Sequence, residues 1–316
     1  MALLSLFSAA AAGCAVPRPV TLITFDVDGT LVSGSGQASD ASAHSRAFAS
    51  AVGSVLGSGT PTALPAELLP REKFYGSTDG LILLNMARAA FGTPPEVAAP
   101  QLDTLWRAMY EFVAALPDEE VAKGIDPLPG VLDTLRVLAS AEMRQRVTCG
   151  LVTGNVEGIA RKKMRAVGVF ATGALAPAAA EQRWEGEGDA AFLGGFGSDF
   201  CSGDIDDATR NHLDRAEQIV IAARRARSAL LAGSALVRVV HVGDAPSDVL
   251  AARACAERGL LGGDVCVGFV GCATGSYSAA QLRELAGDAV PGSWEPVVLE
   301  RGLGDAGFLA ACGVAE

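Results

Sequence analysis

Short apolar runs alternate with amphipathic segments along most of this chain. The apolar runs have the length of buried β-strands and lie at residues 21–27, 147–153, 191–196, 239–243, 265–270 and 297–299. Most of them are separated by a segment whose apolar positions recur at helical spacing. Strands and helices that alternate in this way predict an α/β fold with a doubly wound, mainly parallel sheet.

The segments of helical length indicate which part of the chain forms a separate helical domain. They lie at 37–56, 78–92, 95–116, 131–140, 157–167, 207–232, 247–258, 278–285 and 304–312. The first three follow one another without a strand, after a Gly- and Ser-rich stretch that permits a hinge. We therefore predict an N-terminal extension at 1–19, a sheet domain at 20–33 and 128–316, and an inserted α-helical domain at 34–127.

Two further segments carry expectations about exposure and order. On the helix at 157–167, the basic residues are expected to form a mostly solvated face; they are Arg161, Lys162, Lys163 and Arg165. The stretch 171–188 is rich in Ala, Gly and Glu and reads as an insertion of low order.

The amino-acid composition indicates which partners are excluded and which cellular compartment is favoured. The formal net charge of −11 argues against a nucleic-acid surface or an anionic membrane surface, because both need basic patches. The seven cysteines form no CxxC pair and no zinc-binding spacing, which favours a reducing, cytoplasmic setting. The apolar stretch at 1–16 has no basic residue and is too short to span a bilayer, although targeting by this segment stays open as an alternative.

Two carboxylates and a glycine end the first apolar run. Asp26 and Asp28 are two residues apart, so on an extended chain they project into one shared space. Such a pair repels itself unless a cation neutralises it or one member holds a proton. Gly29 then permits a sharp turn, and Thr30 offers a hydroxyl and an amide to an anion. The alternative for this motif alone is an ordinary Asp-Gly hairpin turn.

The same design recurs after two later apolar runs. Thr153, Gly154 and Asn155 end the run at 147–153, and the run at 239–243 ends in Asp244-Ala-Pro-Ser-Asp248. Taken alone, each could be a helix cap. Ligands of parallel α/β sheets bind at the carboxyl ends of the strands, so the three strand ends are expected to converge.

These residues carry a family resemblance. DVDGT at 26–30, LVTGN at 151–155 and GDAPSD at 243–248 resemble the first, second and fourth motifs of the haloacid dehalogenase-like hydrolase superfamily. The resemblance implies a Rossmann-like core, and the block at 34–127 resembles the helical cap that this family inserts between its first two motifs. Within the family, the cap resembles that of phosphoglycolate phosphatases.

The resemblance implies a mechanism and a magnesium ion. Asp26 would be the nucleophile that forms an aspartyl-phosphate, and Asp28 the general acid and then the base. Mg²⁺ would be held by Asp26, the backbone carbonyl of Asp28, and Asp244, with Asp248 in support. Thr153 and Asn155 would hydrogen-bond the phosphoryl oxygens. The loops expected to bind the phosphate contribute Gly29, Thr30, Gly154 and Asn155.

The third motif of the family is not evident in this chain. A lysine followed by proline usually precedes the fourth motif, and no such pair occurs here. Arg210 lies at about the right place, so we predict that it offsets the charge of the nucleophile and the phosphate. Lys162 and Lys163 are the rivals, one turn into the preceding helix.

The second carboxylate also separates the activities within the family. Displacement of halide needs no proton, and the dehalogenase branch lacks this acid, so Asp28 favours phosphoryl transfer. We expect a Mg²⁺-dependent phosphatase that acts on a small phosphorylated metabolite. A phosphomutase of the β-phosphoglucomutase kind and a noncatalytic binding protein are the alternatives. Lys73, Ser77 and Thr78 of the cap are expected to contact the substrate, because they join a loop to a helix start.

Overall fold

Six parallel strands form the sheet that the sequence predicts. The computed structural model describes residues 17–33, 42–57, 77–178, 192–207 and 210–315. The strands are β1 (Arg18–Phe25), β2 (Val147–Thr153), β3 (Gly194–Phe196), β4 (Ser234–Gly243), β5 (Cys266–Cys272) and β6 (Trp294–Leu299). Their order in the sheet is β3-β2-β1-β4-β5-β6, and every neighbouring pair is parallel. The predicted doubly wound α/β fold is confirmed.

Helices cover this sheet and fill the interval between β1 and β2. They are α1 (Ala43–Leu56), α2 (Asp79–Phe91), α3 (Pro95–Ala98), α4 (Leu102–Ala114), α5 (Asp118–Val121), α6 (Val131–Leu138), α7 (Met143–Arg146), α8 (Glu157–Ala166), α9 (Arg210–Ala229), α10 (Pro246–Glu257), α11 (Ala279–Ala286) and α12 (Phe308–Ala311). None of the helices among the described residues is both long enough and apolar enough to cross a bilayer.

The central strand β1 packs on both of its faces. Ile23 and Phe25 belong to the apolar cluster on one side of the sheet, and Leu22 belongs to the cluster on the other side. This is the burial that a strand in the middle of a parallel sheet requires. Phe25 pairs with Leu151 of β2 and with Val242 of β4, so the carboxyl ends of these three strands lie level with one another.

The five helices α1 to α5, which we call the helical block, leave and rejoin the sheet at one place. Val32 forms a bridge with Pro127, and the Ser33 amide donates to the Asp126 carbonyl at 2.8 Å. The helical block has its own apolar cluster, which also includes Val156 and Ile159 from the α8 region. The predicted domain limits at 34 and 127 stay a prediction that these contacts support.

Several predicted elements differ in extent from those observed. The helix predicted at 95–116 is α3, a tight turn at 99–101 and α4, because Pro100 lacks the amide hydrogen that a continuous helix needs. The strand predicted at 297–299 begins at Trp294, since an edge strand tolerates Pro296. The helix predicted at 304–312 is reduced to α12.

The expectation of a solvated basic face on α8 is wrong for three of its four residues. Arg161, Lys162 and Lys163 are buried, and only Arg165 is exposed. Helix α8 touches the helical block through α4 and α5, so its basic side chains lie in a contact between packed elements. Buried cations of this kind must have specific partners.

Part of the predicted insertion at 171–188 can be described. The Ala176 amide donates to the Cys149 carbonyl at 2.8 Å, and the Leu193 amide donates to the Ala176 carbonyl at 2.8 Å. Residues 171–178 are therefore ordered beside β2, contrary to the expectation for this part. Residues 1–16 and 179–191 lie outside the described residues, as do 34–41, 58–76, 208–209 and 316.

Candidate active site

Three carboxylates meet where β1 and β4 end. The Asp26 amide donates to the Val242 carbonyl at 2.9 Å, which fixes the end of β1 beside β4. Carboxylate oxygens of Asp26, Asp244 and Asp248 all lie within 4.8 Å of one another, and the three residues are buried. We call these three residues the acid cluster.

Neighbouring side chains hold two members of the acid cluster in place. The Thr30 hydroxyl donates to Asp244 Oδ1 at 3.1 Å, so this hydroxyl supports a carboxylate of the acid cluster. The Ala245 amide donates to Asp248 Oδ2 at 3.1 Å. His241 Nε2 lies 3.2 Å from Asp248 Oδ1, so a histidine also lies beside the acid cluster.

A buried arginine faces the expected nucleophile. Arg215 Nη1 donates to Asp26 Oδ1 at 2.7 Å and to the Val152 carbonyl at 3.0 Å, and it lies 3.6 Å from Asp248 Oδ1. Arg215 is 1% exposed, which is rare for an arginine unless it is paired.

Sequence reasoning missed Arg215 and favoured Arg210. Arg210 begins α9, and its side chain lies outside the described residues, so its role stays a prediction. A signal for Arg215 was present in the helix periodicity. Arg215 is in phase with Ile219, Ala222 and Ala226, which are buried on one stripe of α9. A cation in phase with an apolar stripe indicates a buried ion pair.

The electrostatics of the acid cluster favour neutralisation. Burial raises the pKa of Asp26 to about 6, even though Arg215 opposes the rise. Burial, reinforced by Asp26 and Asp248, raises the pKa of Asp244 well above its ordinary value. Burial would raise the pKa of Asp248 as well, but Arg215 and His241 outweigh it and lower that pKa. One guanidinium thus faces three carboxylates.

The donor set suits a hard divalent cation. Carboxylate oxygens are the ligands that Mg²⁺ prefers, and an added cation would remove the repulsion within the acid cluster. Asp26 and Asp244 would be its direct ligands, with Asp248 beside them. The side chain of Asp28 is turned to other partners, which is compatible with the predicted use of its backbone carbonyl.

The loop after β5 closes against the acid cluster. The Thr274 hydroxyl donates to the Gly29 carbonyl at 2.7 Å. A Cβ atom on Gly275 would lie 1.7 Å from Asp244 Oδ2, so a side chain at this position would displace the carboxylate. Gly29 has φ of 90° and meets the same carboxylate, so both the turn and the close approach require glycine there. Sequence reasoning did not find Thr274 or Gly275.

The second carboxylate of the first motif belongs to another group of side chains. Lys163 Nζ donates to Asp28 Oδ1 and Oδ2 at 2.9 and 2.8 Å and to Asn155 Oδ1 at 2.8 Å, and it lies 3.1 Å from His44 Nδ1. His44 Nε2 lies 3.0 Å from Asp79 Oδ2. We call these five residues the Lys163 network. Burial would raise the pKa of Asp28, but Lys163 outweighs it and lowers that pKa overall.

Residues of the second motif connect the two regions. Asn155 Nδ2 donates to Asp28 Oδ2 and to Thr153 Oγ1, both at 3.0 Å. A Cβ atom on Gly154 would lie 2.3 Å from the Ser77 carbonyl oxygen, so the missing side chain lets the helical block approach. The Asp79 amide donates to the Gly154 carbonyl at 2.8 Å.

The three cap residues expected to contact substrate have different positions. Lys73 lies outside the described residues. Thr78 Oγ1 accepts a hydrogen bond from the Leu81 amide and caps α2, which is the ordinary role of a threonine there. Ser77 Oγ donates to Asn211 Oδ1 at 3.3 Å, across the contact between the helical block and α9. Substrate contact by these residues stays a prediction.

Comparison with known proteins agrees with this geometry. A search among curated proteins returned no match. The family model of the haloacid dehalogenase-like hydrolases matches residues 20–256, which include both connections of the helical block and all residues of the acid cluster and the Lys163 network. The chain therefore belongs to the haloacid dehalogenase-like hydrolases and is a hydrolase of this family.

Proposed function

We propose that the protein is a Mg²⁺-dependent phosphatase that hydrolyses a small phosphate monoester through an aspartyl-phosphate on Asp26. The observation that carries this proposal is the acid cluster at the strand ends, with Asp28 beside it on the same turn. A metal site alone would not need a second carboxylate outside the ligand group. A carboxylate pair that serves separate roles is what phosphoryl transfer to an aspartate requires.

In the first step an oxygen of Asp26 attacks phosphorus, and the bond from phosphorus to the ester oxygen breaks. Asp28 gives its proton to the departing oxygen, so an alcohol leaves. Mg²⁺ held by Asp26 and Asp244 would supply positive charge that reduces the repulsion between the nucleophile and the phosphoryl oxygens. Arg215 orients Asp26 through its hydrogen bond at 2.7 Å. Water then attacks the phosphorus of the aspartyl-phosphate while Asp28 takes a proton from that water. The bond from phosphorus to the Asp26 oxygen breaks, which releases phosphate and restores the Asp26 carboxylate.

The state of Asp28 must change during this cycle. Lys163 holds it as a carboxylate in the structure, and this is the form needed to accept a proton from water. A phosphoryl dianion next to Asp28 would raise the pKa of Asp28 by like-charge repulsion. Substrate binding thereby supplies the protonated form that the first step needs.

The surroundings of the site support a small polar substrate. Asp26 is 6% exposed and Asp244 is 7% exposed, and His44 and Asp79 of the neighbouring Lys163 network belong to the helical block. We propose that the helical block is the cap of this family and that Ser77 and Lys73 help to select the substrate.

Six free thiols among the described residues favour a cytoplasmic protein, and burial raises the pKa of Cys149 and Cys255 to about 12.

The direct experiment is a screen of phosphate monoesters for released phosphate, with Mg²⁺ and with EDTA. Rapid quench with ³²P-labelled substrate should trap a labelled protein in the wild type and not in Asp26→Asn, because the amide keeps the shape but is a poor nucleophile. Equal labelling of the two proteins would contradict the assignment of Asp26.

Product analysis in the same screen separates hydrolysis from mutase activity. A phosphatase releases inorganic phosphate from every good substrate. A phosphomutase would return an isomeric sugar phosphate and little free phosphate. Absence of turnover with all esters, together with unchanged Mg²⁺ binding, would favour a binding protein.

A further inference from the structure

The Lys163 network joins the helical block to the turn that carries Asp28. His44 lies on α1 and Asp79 begins α2, whereas Lys163 lies on α8. Asp79 Oδ2 also accepts a hydrogen bond from the Val156 amide at 2.8 Å, directly after the second motif. The chain of contacts therefore runs from the helical block to Asp28 without a gap.

Three residues of this chain of contacts are buried, so each needs its neighbours in the chain as hydrogen-bonding partners. The exposed fractions of the side chains are 3% for Lys163, 3% for Asp79 and 9% for His44. An ammonium group at this depth requires close partners. Two carboxylates, Asp28 and Asp79, lie at the ends of the chain, and Lys163 and His44 lie between them.

The donors and acceptors in this chain of contacts can be assigned from the chemistry of its side chains. Lysine offers only donors, so in the contact at 3.1 Å His44 Nδ1 must be the acceptor. In the neutral ring Nε2 then carries the hydrogen and donates to Asp79 Oδ2 at 3.0 Å. The three donors of Lys163 are thus directed to Asp28, Asn155 and His44, which fixes the position of its ammonium group.

We propose that His44 and Asp79 are positioning residues that act through Lys163 on Asp28. They hold the ammonium group, and the ammonium group holds the carboxylate that serves the leaving oxygen. The proton-transfer group is correctly placed only while the helical block is seated on the second motif. This inference rests on the proposed phosphatase function and on the role of Asp28 within it.

A series of aryl phosphates from 4-nitrophenyl to phenyl phosphate measures proton transfer separately from the rest of the reaction. 4-Nitrophenolate leaves readily without being protonated, whereas the more basic oxygen of phenyl phosphate needs a proton as it leaves. Lys163→Met, His44→Phe and Asp79→Asn should lower kcat/KM for phenyl phosphate about tenfold more than for 4-nitrophenyl phosphate. His44→Phe keeps the ring stacked on Phe48 at 4.9 Å, and Asp79→Asn keeps the shape of the side chain, so at least one variant should fold.

Lys162→Met is the matched control for Lys163→Met. Lys162 is the adjacent lysine on the same buried helix, and its Nζ donates to the carbonyls of Ala114 and Leu116 at the end of α4. It contacts the helical block but no residue of the Lys163 network in these bonds. Lys162→Met should leave the dependence on the leaving group as in the wild type.

A double variant tests whether His44 acts through Lys163. The loss of kcat/KM in His44→Phe combined with Lys163→Met should equal the loss in Lys163→Met alone, because the second change removes nothing that remains. The inference would be overturned if the two single losses of kcat/KM multiplied in the double variant. It would also be overturned if the loss were equal for all aryl phosphates, or if Lys162→Met showed the same selective loss for phenyl phosphate. Failure of the wild type to hydrolyse any ester, or full activity of Asp26→Asn, would instead overturn the proposed function.

Discussion

The acid cluster and the Lys163 network lie side by side, and the charges of their carboxylates are offset in different ways. The acid cluster places three buried carboxylates around one guanidinium, and burial raises the pKa of two of them, Asp26 and Asp244. The Lys163 network alternates carboxylate, ammonium, imidazole and carboxylate, and the pKa of Asp28 in it is lowered.

The acid cluster has an excess of negative charge, whereas in the Lys163 network each carboxylate has a hydrogen-bonding partner. Buried carboxylates with excess negative charge favour an added cation, which stabilises the fold when it binds. Carboxylates that are each hydrogen-bonded hold their side chains in fixed positions without a metal. Changes in the acid cluster should therefore alter metal binding, and changes in the Lys163 network should alter proton transfer.

Removal of Arg215 should have the largest effect, because it leaves Asp26 and Asp248 without their buried cation. We expect Arg215→Ala to lower kcat on the order of 10² or more and to lower the free energy of unfolding by about 3 kcal/mol or more. Steady-state kinetics and urea unfolding measure the two losses. Arg215→Lys should recover only part of either, since an ammonium cannot reproduce the geometry of the guanidinium.

Arg210→Ala is the control for this prediction, since Arg210 lies on the same helix and is the residue that sequence spacing favours. A larger loss of activity in Arg210→Ala than in Arg215→Ala would assign the third motif to Arg210.

Gly275→Ala should mainly affect the metal. The new methyl group would lie 1.7 Å from Asp244 Oδ2 and would displace the Asp244 carboxylate from its present position. We expect the Kd for Mg²⁺ to rise about tenfold or more, equivalent to about 1.4 kcal/mol, by isothermal titration calorimetry. Gly263→Ala is the control, because no atom lies within 4 Å of its Cβ position. Equal affinities in both variants would remove the proposed role of the loop after β5.

Asp244→Asn should separate stability from metal binding. The amide removes one repelling charge, so without metal we expect the free energy of unfolding to rise by roughly 1 kcal/mol. The wild type should gain thermal stability when Mg²⁺ is added, and the variant should gain less. Differential scanning calorimetry in EDTA and in Mg²⁺ gives the four values needed. A variant that is less stable in EDTA and responds fully to Mg²⁺ would contradict a metal role for Asp244.

The pH dependence of stability follows from the titration of Asp26. Asp26 keeps its proton in the folded protein up to about pH 6, compared with an ordinary pKa of 3.8 when unfolded. Its stabilising contribution is therefore complete below pH 3.8 and is lost as the pH rises through about 6. In EDTA the free energy of unfolding should fall across this window by roughly 1 to 3 kcal/mol.

Urea unfolding at several pH values measures this slope. Asp26→Asn should flatten it, because the group that titrates is absent. Saturating Mg²⁺ should flatten it as well, since the metal favours the ionised carboxylate. An unchanged slope in both experiments would place the titration elsewhere.

The strand ends could be predicted from sequence because their signals are local. An apolar run followed by Asp26 and Asp28, or by Asp244, determines both the strand and the position of the carboxylate at its end. The structure brings Asp26, Asp244 and Asp248 together as that reasoning expected, and their catalytic roles stay proposals.

The cations were harder to predict because their burial depends on distant parts of the chain. Lys163 looks like a solvent-facing lysine until α4 and α5 pack on α8, and those helices lie about 40 to 60 residues earlier. Arg215 faces Asp26 across 189 positions of sequence. Periodicity indicates which side of a helix is buried, but it does not identify the partner.

The two connections of the helical block affect how this protein could evolve. The Ser33 amide and the Asp126 carbonyl are held 2.8 Å apart, so a short turn could replace everything between them without disturbing β1. The sheet is therefore a platform that could accept inserts of different length. Such a replacement would uncover Val156 and Ile159, which are 0% exposed where the helical block packs on them. A shortened descendant would need polar residues at these two positions to remain free of aggregation.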